Sequence, residues 1–153
     1  MVGQDRNAIM FQFIKGPWIS GEDKFLKEFP LLKGRFEIVK GGKGFVGILG
    51  DTLPRSVHKK AAENTLAAAI QAIRSLQWDL VVLDEVNVAV SLKLIKVKDV
   101  LAALKDLPMH TFVILSGRNA PKSFMQRADL VTEMREIKHP FGKGELAVKG
   151  VEF

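Results

Sequence analysis

Residues 80–87 read Leu-Val-Val-Leu-Asp-Glu-Val-Asn, an apolar run that ends in two adjacent carboxylates. A continuous apolar run of this length suits a parallel strand covered on both faces. Open α/β sheets bind ligands beyond the carboxyl ends of their strands. Asp84 and Glu85 therefore stand where a ligand is handled. In nucleotide-hydrolysing folds, acidic residues at this position hold magnesium. Their usual companion is an upstream glycine-rich phosphate loop with Lys and Ser/Thr. No such loop precedes Leu80 in the sequence.

The rest of the chain alternates strand-like and helix-like segments. Residues 8–13 read as a strand that runs into a loop over 14–21, punctuated by Gly16, Pro17 and Gly21. A short helix over 22–28 and a strand over 36–39 follow. The tract 40–51 holds five glycines around Phe45. Apolar spacing from Val57 to Leu76 predicts a long helix over 54–76, with Pro54 in its first turn. Residues 78–84 form the central strand, 97–105 a helix and 111–115 another buried strand. A short helix over 121–126 and a last main strand over 130–137 complete the set. The tail 142–153 is glycine-punctuated and is expected to wrap the surface. This alternation predicts one α/β domain over residues 1–153, with a mostly parallel sheet and right-handed crossovers. It also brings 13–16, 84–87 and 116–118 to one rim.

Composition narrows the function. Hydrophobic content of 47% and charged content of 26% are those of a soluble globular domain. No apolar run approaches the roughly 20 residues of a membrane span, so no membrane partner is expected. The first ten residues do not read as a secretory signal. There is no cysteine, which excludes disulfides, thiolate metal sites and cysteine nucleophiles and fits a cytoplasmic protein. Net charge is +6, yet the lysines are scattered among acids, and no aromatic residues alternate with a basic run. That argues against nucleic acid and suits a small anionic ligand such as a nucleoside triphosphate.

Each candidate residue has a plainer alternative. Glu85 is the better metal ligand of the pair, with Asp84 supporting it; the alternative is an acidic helix start. Arg118, following Ser116 and Gly117, has the geometry for phosphate oxygens or caps a surface loop. Lys15 and Gly16 close the first strand, where the lysine either faces phosphates or is solvated. Trp18 reads as loop packing more readily than ligand stacking. Phe45 is either exposed to a large flat ligand or partner or plugs the core. His58, His110 and His139 share no metal spacing, and His58 falls in the polar start of a helix. Gly142-Lys143-Gly144 is too short for a phosphate loop.

In order, Gln12-Phe13-Ile14-Lys15-Gly16 with Gly21-Glu22, Gly44-Phe45, Asp79 to Asn87, Ser116-Gly117-Arg118 with Ala120-Pro121, Ala128 to Met134, Lys138-His139-Pro140-Phe141 with Gly144, and Gly150 to Phe153 resemble the P-loop type ATP:corrinoid adenosyltransferases. The resemblance spans essentially the whole chain. It implies transfer of the 5′-deoxyadenosyl group of ATP to the Co(I) of a corrinoid, releasing tripolyphosphate. Co(I) is itself the nucleophile, which agrees with the lack of any Ser/His/Asp arrangement. The resemblance further implies Mg²⁺ held by Glu85 and Arg118 facing the nucleotide or corrinoid. Lys15, Gly16, Asn87 and Gly117 would lie in the binding site, and Phe45 would press on the corrin face. A homodimer and a separate reductant supplying Co(I) are also implied.

Two departures set further expectations. Members begin with a strand, a Walker A loop and a helix, whereas this chain starts at the equivalent of the second strand. The expected fold is therefore a P-loop-NTPase-like sheet, N-terminally truncated and lacking the first strand, phosphate loop and first helix. Loss of a central strand predicts unpaired edges, an uncovered apolar face and weak or no ATP turnover. Many relatives also carry Trp two residues after the loop phenylalanine, where this chain has Gly47. A non-catalytic corrinoid-binding remnant and an unrelated α/β nucleotide-binding domain are the alternatives.

Overall fold

Four parallel strands form the sheet in a computed structural model that describes residues 2–48, 50–146, 148 and 150. They are β1 (Ala8–Gln12), β2 (Phe36–Lys40), β3 (Leu80–Asp84) and β4 (Phe112–Leu115), in the spatial order β2-β1-β3-β4. The helices are α1 (Gly21–Glu28), α2 (Arg55–Arg74), α3 (Val86–Ser91), α4 (Val97–Ala103) and α5 (Lys122–Arg127). The bounds expected for α1, α2, α4, α5 and all four strands hold to within two residues. The register sets Ala8 beside Phe36 and Leu80, and Leu80 beside Phe112. The starts of β1 and β3 are tied by Asp79, which accepts from the Asn7 N–H at 2.8 Å and the Arg6 guanidinium at 2.7 Å.

One face of the sheet is core. Side chains alternate along a strand, so Ile9, Phe11, Val81 and Leu83 share a face, and all four are buried. The helix α2 presents Ala62, Leu66, Ala69 and Ile73 to the same cluster, which α3, α4 and Phe124 of α5 complete. Small residues at positions 61, 62, 69 and 72 let α2 approach closely. Burial of this stripe, more than intrinsic propensity, holds the helix.

The other face is not core. It carries Met10, Ile38, Leu80, Val82, Phe112 and Ile114, and among the described residues none of these joins the cluster. Phe112 is 64% exposed and Ile114 49%. The run 80–83 therefore alternates between buried and half-buried, which corrects the expectation of a strand covered on both faces. The expected uncovered face is present. The four strands nevertheless pair without a gap.

One expected element fails. Residues 130–137 form no strand: Leu130 is 84% and Met134 94% exposed. Strand propensity expresses fit to a pleated, half-buried surface, and among the described residues this segment has neither a ladder partner nor a covered face. The helix α3 starts directly after Glu85, as the alternative of an acidic helix start has it. In the tail, Pro140–Lys143 makes an exposed 3-10 turn, while residues 147, 149 and 151–153 lie outside the described residues.

The two faces predict opposite mutational outcomes. Leu83→Ala should cost about 2–5 kcal/mol in urea unfolding. Ile114→Lys should change stability by less than about 0.5 kcal/mol and reduce binding of an apolar dye such as ANS. A dye signal indifferent to Ile114→Lys would show that the face is covered in solution.

Candidate active site

The parallel register brings the carboxyl ends of β1, β3 and β4 to one rim, as expected. β3 ends at Asp84, and the chain reverses through Glu85, which caps α3 in the left-handed region at φ 59° and ψ 22°. A non-glycine residue held there costs on the order of 1 kcal/mol. The loop after β4 compensates by gripping both acids. Ser116 Oγ donates to Asp84 Oδ1 at 2.8 Å and accepts from the Glu85 N–H at 3.0 Å. The Asn87 N–H donates to the Ser116 carbonyl at 3.2 Å, and Asn87 Nδ2 to the Gly117 carbonyl at 3.1 Å.

Gly117 is required by geometry. Its φ is 114°, and a Cβ there would lie 3.1 Å from Glu85 Cα and 3.2 Å from the Val88 side chain. The structure thus brings Asp84, Glu85, Asn87 and Gly117 together, as the sequence suggested. In the sequence Ser116 stands only as part of a motif, which does not reveal its bridging role. A hydroxyl ending a buried strand beside an acid-ended strand was the available signal.

Burial pushes the Glu85 carboxyl above its ordinary range, and the neighbouring Asp84 charge pushes it further. Lys15 and Arg118 act in the opposite direction, so both stand within the same electrostatic field. Arg118 is exposed and makes no hydrogen bond among the described residues. Lys15 is neither free nor merely solvated: it pairs with Glu22 at 2.5 Å. The Lys15 hydrogen bond is the main reason that the Glu22 carboxyl is lowered to about 2. Gly16 makes room for an aromatic ring, since a Cβ there would lie 2.2 Å from Trp18.

Two buried side-chain oxygens on the rim have no partner among the described residues: Gln12 Oε1 and Asn87 Oδ1. Gln12 is the register partner of Asp84 and, like Ser116, was not singled out for a role. A buried polar atom without a partner costs roughly 1–3 kcal/mol. Hard oxygen donors of this kind, beside two carboxylates, suit magnesium. That ion uses one or two carboxylates and takes other ligands from water and substrate phosphates. No cluster of three or more His, Cys, Asp or Glu side chains occurs among the described residues.

The glycine loop after β2 hooks onto the end of β1. The N–H groups of Gly41 and Gly42 reach the Gln12 carbonyl at 3.0 Å, and that of Gly44 reaches the Ile14 carbonyl at 3.0 Å. Phe45 is neither fully exposed nor a core plug. It stacks on Trp18 with centroids 6.1 Å apart and rings inclined at 29°, and each ring is about half exposed. Trp18, read as loop packing, thus forms the second member of an open aromatic pair.

A family model described as ATP:corrinoid adenosyltransferase BtuR/CobO/CobP matches residues 1–153. The chain belongs to this family. It is 38% identical over 143 residues to a corrinoid adenosyltransferase of Sinorhizobium sp., covering 93% of this chain and 64% of that protein. It is 34% identical over 152 residues to that of Pseudomonas aeruginosa, covering 99% and 72%. With the corrinoid adenosyltransferase CobA of Salmonella typhimurium the identity is 29% over 152 residues, covering 99% and 74%. The chain therefore spans roughly two thirds to three quarters of the length of these relatives. The parallel α/β sheet is consistent with the P-loop-NTPase-like fold of the family.

The raised Glu85 pKa has a stability consequence. The folded state holds this proton more tightly than the unfolded chain does. The resulting stability is fully present below the ordinary value of 4.5 and is lost as pH rises through the raised value. Glu85→Gln should therefore raise the thermal midpoint at neutral pH, with the gain vanishing in acid. Equal midpoints for variant and parent across that range would show that Glu85 ionises freely.

Proposed function

We propose that this chain transfers the 5′-deoxyadenosyl group of ATP to the cobalt of a reduced corrinoid. The observation that carries this is the family match over residues 1–153. The stitched acidic rim at Asp84, Glu85 and Ser116 supports it. In the reaction the Co(I) electron pair attacks C5′ of ATP. A Co–C bond forms, the C5′–O bond breaks, and tripolyphosphate leaves with the bonding pair. No protein nucleophile is needed, so the residues bind, orient and neutralise.

Glu85 and Asp84 would hold Mg²⁺, which neutralises charge on the triphosphate. Ser116 fixes Asp84, and its carbonyl anchors Asn87, whose unpaired Oδ1 faces the same task. Arg118 has free donors for phosphate oxygens, whereas Lys15 is shared with Glu22. Phe45 and Trp18 offer an apolar surface to the corrin plane. The working form is a cytoplasmic homodimer served by a separate reductant that supplies Co(I). None of the described helices is long and apolar enough to cross a membrane.

Reduced cobalamin, ATP and Mg²⁺ should give adenosylcobalamin, followed by absorbance. Glu85→Gln and Arg118→Ala should each slow it on the order of 10²-fold. No product above a protein-free control, with corrinoid bound indifferently to ATP and Mg²⁺, would sink this reading in favour of a non-catalytic corrinoid binder.

A further inference from the structure

Asp51 and His58 form a buried pair that the chemistry above does not use. His58, expected in the polar start of a helix, is buried on α2. Its Nε2 lies 3.1 Å from Asp51 Oδ1 and 3.0 Å from Oδ2. The same carboxylate accepts from the Gly47 N–H at 2.7 Å and from the Leu53 N–H at 3.0 Å. Those backbone bonds, Gly47 first and then Leu53, hold the Asp51 carboxyl below its ordinary range, with help from His58. The Asp51 carboxylate thus serves donors from the loop backbone and from α2 at once.

The loop needs such a tie. Gly44, Gly47 and Gly50 all have positive φ, and glycine-rich backbone loses much entropy on ordering. Phe45 lies two residues before Gly47 and gains only one described ring contact, with Trp18. That single stack is too weak to fix a loop by itself. Charge-assisted hydrogen bonds to Asp51 are stronger and directional. They fix the backbone on the carboxyl side of Phe45, while the Gly44 N–H bond to Ile14 fixes the other side.

We propose that Asp51 and His58 are positioning residues that latch the glycine loop to α2 and so hold Phe45 against Trp18 as a preformed apolar plate for the corrinoid. The latch stands on its own geometry; its service to a corrinoid rests on the function proposed above. Preformation matters because a plate ordered before binding spares that cost when the ligand arrives.

The test separates the two claims. Phenylalanine replaces Trp78, leaving Trp18 as the one tryptophan of the two in the chain. Asp51→Asn, Asp51→Ala and His58→Gln are then compared with this parent. Acrylamide quenching of Trp18 reports the plate, far-UV circular dichroism reports folding, and equilibrium dialysis with hydroxocobalamin reports ligand affinity. Folded variants should show greater Trp18 quenching and red-shifted emission. Their hydroxocobalamin affinity should fall about tenfold, as for loss of one charge-assisted hydrogen bond, with ATP affinity unchanged. Unchanged quenching in the folded variants overturns the latch. Increased quenching with unchanged hydroxocobalamin affinity overturns its role as a corrinoid plate. A parent that binds no hydroxocobalamin overturns the corrinoid reading, while the quenching still decides the latch. Should Asp51→Ala unfold, the isosteric Asp51→Asn and His58→Gln carry the comparison.

Discussion

The Ser116 hydroxyl is the constraint on which the rim depends. It is one oxygen with two obligations, donating to Asp84 and accepting from the backbone of Glu85. Without it the Glu85 N–H would lose a partner in a half-buried turn, and Asp84 would lose its orienting donor. The left-handed conformation of Glu85 would then have less to hold it. Because Ser116 ends β4 and the acids end β3, the bridge also couples strand pairing to the geometry of the acids. Fold stability and site geometry are one problem here rather than two.

The same economy runs through the glycines and aromatics. Gly117 lets the β4 loop approach Glu85, and Gly16 lets Trp18 lie back over the chain. Trp18 then supports Phe45. A rim made of backbone contacts of this kind leaves little room for larger side chains at its glycines. It also leaves a half-exposed aromatic pair on the loops that follow β1 and β2.

Much of this was legible in the sequence, for identifiable reasons. The run 80–83 and its two acids announce a strand and the turn at its carboxyl end through patterning alone. The spacing from Val57 to Leu76 announces α2. Segments of hydrophobic periodicity read well because burial enforces them. Residues 130–137 misled because apolar character signals a strand only where another strand is available to pair with it. The start of α3 is legible only as an alternative, because the left-handed turn at Glu85 that precedes it has no pattern of its own. The partnership of Lys15 with Glu22 joins a loop residue to the first turn of α1, and their approach depends on how the loop folds. Ser116 and Gln12 have no role readable from the sequence, and His58 reads there as polar surface, because the importance of all three lies in what they face across the fold.

The uncovered face of the sheet has a thermodynamic meaning beyond its stickiness. Unfolding raises heat capacity in proportion to the apolar surface newly exposed to water. Side chains such as Phe112 and Ile114, already half-open in the folded chain, contribute less to that change. A one-sided sheet of this length should thus have a heat-capacity increment below the roughly 12–15 cal/mol/K per residue of ordinary domains. Its stability curve would be correspondingly flat, varying little with temperature and showing no pronounced maximum.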